Sequence, residues 1–326
     1  MYIIGIDGGG TKTIGYLADY NCNVLAVAKG GTSNYLSAGI VKAKESINDV
    51  ISSLCYMQGI RKDEIKLISL GLAGAGRTEN IRTIKSIFLE LGINCNILIN
   101  NDAYISLVGA HGKDEGIILI SGTGSIALGI NKNKDVFRVG GWGHILGDEG
   151  SGYYFGKKGL TAIMKAYDGR GKSTLISDKI FRYLNITNID EIVQYVYSDI
   201  NNKSKISNLS KLVIEAAEEN DEVASSIIDK GIQELIDITM TIVDKIKEPM
   251  NIALAGGIFD NSQFIKDKFL KTLNVKNPQL NVVEKKYDAA IGALIVGWEN
   301  EKIKYDEKKL TKQIKEVDNY DKWNIN

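Results

Sequence analysis

The chain opens with Ile3-Ile4-Gly5-Ile6-Asp7-Gly8-Gly9-Gly10-Thr11-Lys12-Thr13. An apolar run of strand length ends in an acid, and three glycines, a hydroxyl, a cation and a second hydroxyl follow. Glycines let backbone approach a ligand closely and accept positive φ, so the N–H groups of Gly8, Gly9 and Gly10 can converge on one anion. Thr11, Lys12 and Thr13 add donors for phosphate oxygens. Asp7, at the strand end, can hold Mg²⁺ directly or through its water shell, as a hard cation prefers. Gly15-Tyr16-Leu17-Ala18-Asp19 reads as a returning strand, so an ordinary β-hairpin is the plain alternative.

The rest of the chain bears on that choice. Val24–Ala28 reads as a third strand, and the polar loop 29–35 carries Asn34. Residues 38–57 have helical period, with Ile40, Ala43, Ile47, Val50, Ile51 and Leu54 on one face. Strands at 67–70 and 96–99 alternate with helices at 78–91 and after Asp102, which predicts a mixed sheet covered on both faces. The opening pattern then returns about 114 residues on: Ile117-Ile118-Leu119-Ile120-Ser121-Gly122-Thr123-Gly124-Ser125, with Ser121 where Asp7 stood. A strand again follows. Two related halves are expected, whose glycine turns could grip a polyphosphate from both sides. A third such turn lies at Asn251–Phe259. The expected domains are residues 1–113 and 114–326, the second with a helical insertion over about 151–247 and a charged, helical tail after 301.

The chain has 326 residues, 44% of them hydrophobic, enough for a large core and two domains. Formal net charge is zero with no long basic run, which excludes a nucleic-acid or anionic-membrane partner as the expectation. No apolar stretch approaches the roughly 20 residues that span a bilayer. The N-terminus enters a strand without a leader-type pattern, and Cys22, Cys55 and Cys95 are scattered, so a cytoplasmic protein without structural zinc is expected.

Two motifs are decoys. Gly122-Thr123-Gly124 with Ala127 fits the G-x-G-x-x-A fingerprint, but a strand follows where that fingerprint needs a helix. Gly171-Lys172-Ser173 ends like a P-loop, yet Ala166 stands where its first glycine belongs and residues 157–167 read as helix. His111 and His144 are too isolated for a metal site.

Phosphoryl transfer needs phosphates and Mg²⁺ held in line, a positioned acceptor hydroxyl and usually a base. Asp102, where a strand hands over to a helix, suits the base; a helix N-cap is its alternative role. The stretch Gly140-Gly141-Trp142-Gly143-His144-Ile145-Leu146-Gly147-Asp148-Glu149-Gly150-Ser151 is dense in glycine around a tryptophan and two acids. Trp142 could lie against a sugar ring and Asp148 could accept from its hydroxyls; Glu149 could do the same or cap the next helix. Asn34 offers both a donor and an acceptor to a hydroxyl or acetamide.

Together these residues resemble the actin/hexokinase/Hsp70 ATPase superfamily, and within it the N-acetylglucosamine kinase branch grouped with the BadF/BadG/BcrA/BcrD ATPases. The likeness spans about residues 2–300, in five motifs: Asp7–Thr13, Gly71–Gly76, Gly122–Ser125, Ala255-Gly256-Gly257 and Ala289–Ala293. It implies a two-domain α/β, ribonuclease H-like fold with mixed sheets flanked by helices and a cleft between the domains. It implies transfer of the ATP γ-phosphoryl to the 6-hydroxyl of an N-acetylated hexosamine. Asp102 is then the base, Asn34, Gly124, Ser125, Gly140, Gly141, Trp142 and Asp148 line the sugar, and Thr11, Lys12, Gly122, Thr123, Gly256 and Gly257 meet the nucleotide. Similar bacterial kinases act on both N-acetylmuramic acid and N-acetylglucosamine salvaged from cell wall, and family members commonly form homodimers. A lactyl carboxylate would ask for a cation, for which Lys12 and Arg77 are the candidates.

Two rivals share the fold. A reductase activator would need four cluster thiolates, two from each partner, and the cysteines stand apart from the glycine turns. A sugar sensor without turnover is disfavoured by retention of Asp7, Asp102 and both phosphate turns.

Overall fold

The computed structural model describes residues 1–72, 78–199 and 203–323. Gly74 and Gly76 of the Gly71–Gly76 motif, and with them Arg77, lie outside the described residues. The contacts divide into two compact units, Met1–Glu115 with Glu284–Asn326, and Gly116–Val283.

In the first unit β1 (Tyr2–Gly8), β2 (Thr13–Asp19) and β3 (Val24–Gly30) form an antiparallel meander. The short α1 (Tyr35–Ala38), α2 (Ile40–Gln58), β4 (Ile65–Leu72), α3 (Thr78–Glu90), β5 (Asn96–Asn101) and α4 (Asp102–His111) follow. β4 pairs in parallel with β1, and β5 with β4, so the strand order is β3-β2-β1-β4-β5. Because successive strand residues face opposite ways, Ile4 and Ile6 pack with Ile47, Val50 and Leu54 of α2 on one face. Ile3 packs with Ile291, Leu294 and Ile295 on the other. Ile40 heads α2 and stays exposed, so the buried stripe begins at Ala43.

The second unit repeats the plan. β6 (Gly116–Ser121), β7 (Ser125–Ile130) and β8 (Val136–Gly140) form the meander. A helical block follows: α5 (Gly152–Tyr167), α6 (Leu175–Leu184), α7 (Ile189–Tyr197), α8 (Lys203–Ser207), α9 (Ser210–Glu218) and α10 (Glu222–Ile246). After it come β9 (Ile252–Ala255), α11 (Gly257–Asn261), α12 (Gln263–Lys276) and β10 (Val282–Val283). The order β8-β7-β6-β9-β10 is that of the first sheet, so the internal repeat extends from the glycine turn to the whole sheet. Ile228, Ile232, Leu235, Ile236 and Ile242 recur at helical spacing along α10 and close this core. Each such side chain fully removed from water contributes roughly 1.5–3 kcal/mol.

The last segment departs from the sequence expectation, which assigned everything after 113 to the second domain. α13 (Ala289–Asn300) and α14 (Glu307–Trp323) pack with the first unit. The reason is steric. A Cβ on Gly292 would stand 1.9 Å from the Ile105 carbonyl oxygen and 2.6 Å from the Gly109 nitrogen, so α13 and α4 approach backbone to backbone. The tail is neither loose nor merely solvated: Leu310 is buried, and Gln313 accepts from the Val24 N–H and donates to Asn23. Among the described residues no helix is long and apolar enough to cross a membrane.

Candidate active site

In the first unit the chemistry gathers at the carboxyl ends of parallel strands, where α/β folds bind ligands. Asp7 stands in register with Gly71 of β4, and Gly71 with Asn100 of β5. Asp102 opens α4 with its Cα against Gly71. The N-cap of α4 is Asn101, whose side chain accepts from the Ala103 N–H at 2.9 Å. The capping role that competed for Asp102 thus falls chiefly to its neighbour, although Asp102 Oδ1 also accepts from that N–H at 3.0 Å.

A third acid joins them. Asp288 caps α13 by accepting from the Ile291 N–H at 2.9 Å, and its other oxygen accepts from the Tyr16 hydroxyl at 3.3 Å. Burial, then the charges of Asp288 and Asp102, push the Asp7 carboxyl up to about 7, with Lys12 opposing. Sequence reasoning missed Asp288 because an Asp before an apolar helix reads as a cap and nothing more.

The raised Asp7 carboxyl has a signed consequence. The folded chain keeps a proton on Asp7 that the unfolded chain releases near 3.8, so folding stability falls as pH rises between about 4 and 7 and levels off above. Asp7→Asn is expected to leave stability nearly unchanged at pH 4. At pH 8, without divalent cation, it should stabilise by up to a few kcal/mol, since each tenfold change in proton affinity is worth about 1.4 kcal/mol. Urea unfolding of both proteins at the two pH values checks this. An advantage that does not grow with pH would remove the claim.

The first turn is tight, its Gly9 N–H donating to the Lys12 carbonyl at 3.0 Å. Gly8, Gly9 and Gly10 do not adopt positive φ, so they serve close approach and not a left-handed nest. Gly10 has open space around its Cα, whereas a Cβ on Gly8 would strike Leu72 and Ser33. Gly10, Thr11 and Lys12 are exposed. Thr13 is fully buried, and its hydroxyl bonds to the Gly31 carbonyl at 2.7 Å and the Ser33 hydroxyl at 2.8 Å. It ties the turn to the loop that carries Asn34 and presents no donor outward. Thr32 adds a bond to the Gly9 carbonyl; neither Thr32 nor Ser33 was singled out in the sequence.

In the second unit three predicted motifs meet. Gly256 adopts φ 94° and ψ 155°; a Cβ there would lie 2.4 Å from the Ser121 carbonyl oxygen and 2.9 Å from the Gly122 nitrogen. The Gly256–Gly257 turn therefore rests on the Gly122 turn. On its other flank, Gly124 lies under the Asp148 carboxylate, which accepts from the Ser125 N–H at 3.3 Å. Asp148 is buried and held at φ 63°, an uncommon conformation for a residue with a side chain. The carbonyls of Gly122 and Thr123 accept from the first N–H groups of α5, at Gly152 and Tyr153.

The tryptophan loop hangs from the same turn. Ser125 donates to the Glu149 carbonyl at 2.7 Å and Ser121 to the Gly150 carbonyl at 2.8 Å, while Ser151 caps α5. Ser125 thus spends its hydroxyl holding the loop. Gly140 and Gly141 take φ 74° and 70° and turn the chain out of β8. Trp142 then stands 68% exposed and is not a buried plug. His144 lies edge-on to Tyr153, and burial, then Lys203, push its pKa down.

The profile of the BadF/BadG/BcrA/BcrD ATPase family matches residues 4–297. An N-acetylmuramic acid/N-acetylglucosamine kinase of Clostridium acetobutylicum is 36% identical, over 90% of this chain and 97% of its own. An N-acetyl-D-glucosamine kinase of Dictyostelium discoideum is 31% identical, covering 92% and 98%. Among solved structures, a presumed N-acetylglucosamine kinase of Chromobacterium violaceum superposes with a TM-score of 0.75 at 26% identity, covering 90% and 98%.

Proposed function

Because this chain belongs to the BadF/BadG/BcrA/BcrD ATPase family, we propose that it is an ATP-dependent kinase that phosphorylates the 6-hydroxyl of N-acetylated amino sugars. The observation that carries the reading is the Gly122–Ser125 turn, flanked by Gly256–Gly257 on one side and Asp148 on the other. That order, nucleotide motif, phosphate-type turn, hydroxyl acceptor, is the order of groups in phosphoryl transfer to a sugar. Relatives named as kinases of N-acetylglucosamine and N-acetylmuramic acid support the same substrate class.

Asp102 accepts the proton of the 6-hydroxyl as its oxygen bonds to the γ-phosphorus and the bond to the ADP oxygen breaks. Asp148 accepts from ring hydroxyls, Trp142 supports the apolar face of the ring, and Asn34 reads the acetamide or a hydroxyl. The exposed Gly10–Lys12 turn and Gly122–Thr123 bind phosphates, and Gly256–Gly257 the adenosine.

Mg²⁺ fits the first unit. Asp7 offers hard oxygen among mutually repelling carboxylates, and among the described residues no group of three acids, histidines or cysteines could hold a metal alone. Asp7 would therefore hold the ion jointly with nucleotide phosphates, as Mg²⁺ commonly requires. When bound, it neutralises charge on the phosphates. The iron–sulfur rival gains nothing: Cys22 and Cys55 are buried, and burial pushes the Cys95 thiol up to about 11, against the thiolate a cluster needs.

Regiochemistry tests the proposal. With Mg²⁺-ATP and N-acetylglucosamine, the product should show phosphorus coupled to the C6 protons by NMR, and the 6-deoxy sugar should not react. Phosphate on another hydroxyl would overturn the assignment to the 6-position.

A further inference from the structure

Arg138, midway along β8, lies over the Trp142 ring with its guanidinium carbon 4.6 Å from the ring centroid. Its Nε donates to the Gly140 carbonyl at 3.0 Å, and Nη2 donates to the Gly141 carbonyl. Two of the five guanidinium N–H groups thus clamp the turn that delivers Trp142, and Arg138 is itself exposed. Among the described residues no carboxylate is paired with it. The loop closes so that Trp142 packs against Gly147, next to Asp148. A cation that clamps the turn therefore stands over the Trp142 ring, on the loop that also carries Asp148.

We propose that Arg138 determines substrate range by binding a carboxylate carried by the sugar, as in the 3-O-lactyl ether of an N-acetylhexosamine. The inference rests on the amino-sugar reading above and sharpens it. Arg suits this task because its planar fork meets a carboxylate through two donors and stacks on an aromatic face at the same time. The stack holds the guanidinium in one orientation, so less side-chain freedom is lost on binding. Two other basic groups of this region are differently placed: Lys157 lies over Tyr153 at 5.9 Å, and His144 is held toward its neutral form.

Calorimetric binding of N-acetylmuramic acid and N-acetylglucosamine, without nucleotide, tests the idea in wild type, Arg138→Gln, Arg138→Lys and Lys157→Gln. A charge-assisted contact to a carboxylate is among the stronger hydrogen bonds, so Arg138→Gln should weaken the muramic sugar at least ~10-fold more than the neutral one. Arg138→Lys should recover part of that loss, and Lys157→Gln should leave the ratio unchanged. Added salt should weaken only the acidic sugar. Equal losses for both sugars in Arg138→Gln would make the arginine a structural clamp and overturn the inference. Wild-type binding of N-acetylglucosamine alone would overturn it too while leaving the kinase reading intact. Binding of neither sugar would overturn both.

Discussion

Asp102→Asn should lower kcat for N-acetylglucosamine phosphorylation by at least ~10²-fold, the lower end for a positioned general base, equivalent to about 2.7 kcal/mol of transition-state stabilisation. KM for the sugar should change far less, because an amide in the same place still hydrogen-bonds a hydroxyl but takes no proton from it. Stability should hardly move, since Asn101 already supplies a cap to α4. The two roles open to a strand-end Asp are thereby separated. A capping Asp102 would lose stability with kcat nearly intact; a base loses kcat with Tm nearly intact. The substitution also removes one of the charges that raise the Asp7 carboxyl, so the Asp7 titration should move down. Retention of wild-type kcat in a folded Asp102→Asn protein would end the base assignment.

Gly256→Ala is expected to damage both the second unit and nucleotide use. Its φ of 94° and ψ of 155° lie in a region essentially reserved for glycine, which costs roughly 1–3 kcal/mol for another residue. The added methyl would also meet backbone, the Ser121 carbonyl at 2.4 Å and the Gly122 nitrogen at 2.9 Å, which cannot swing aside as a flexible side chain could. Overpacking of this kind adds about 1–3 kcal/mol, so unfolding should be easier by about 2–6 kcal/mol in all. In whatever folds, the Gly122 turn and the Gly256–Gly257 turn must part, and KM for ATP should rise at least ~10-fold, the ratio that about 1.4 kcal/mol of lost binding produces. Thermal unfolding and ATP titration at saturating sugar read the two effects. An alanine variant with unchanged Tm and unchanged KM for ATP would mean the two turns are not joined as described.

Much of the fold was legible in the sequence because its signals are local. An apolar run, a glycine turn and a returning strand can be read at Ile3–Asp19, again at Ile117–Ile130, and in part at Ile252–Phe259, and each is a strand and turn in the structure. The helical stripe of α2 and the helical block after Ser151 are likewise periodic. β8 escaped because Val136–Gly140 is half exposed and lacks a continuous apolar run, and with it went Arg138. The allegiance of α13 escaped for a different reason. Nothing near Ala289 in sequence reports that Gly109 and Gly292 allow two helix backbones to touch, or that Gly5 lets α13 approach β1.

The candidate site divides in the same way. Residue types announce Asp7, Asp102, Asp148 and Trp142, since acids and tryptophan among glycines are chemically conspicuous. Their supports are ordinary residues: Thr13 and Ser33 under the first turn, Ser121 and Ser125 under the second, Asp288 beside Asp7. Hydroxyls that look like phosphate donors in the sequence are spent on carbonyls in the fold. Only three-dimensional pairing distinguishes Thr13, which points inward, from the exposed Thr11 two residues earlier.

The most direct test of the central claim is steady-state ADP release from Mg²⁺-ATP by the wild-type chain, with N-acetylglucosamine, N-acetylmuramic acid, N-acetylmannosamine, glucosamine or glucose as acceptor. The account predicts little release without sugar, strong stimulation by N-acetylglucosamine, and weaker stimulation by glucosamine and glucose, which lack the acetamide. Binding of an N-acetylated sugar with no stimulation of ADP release by any acceptor would contradict it and leave a sugar-binding ATPase fold that is not a sugar kinase.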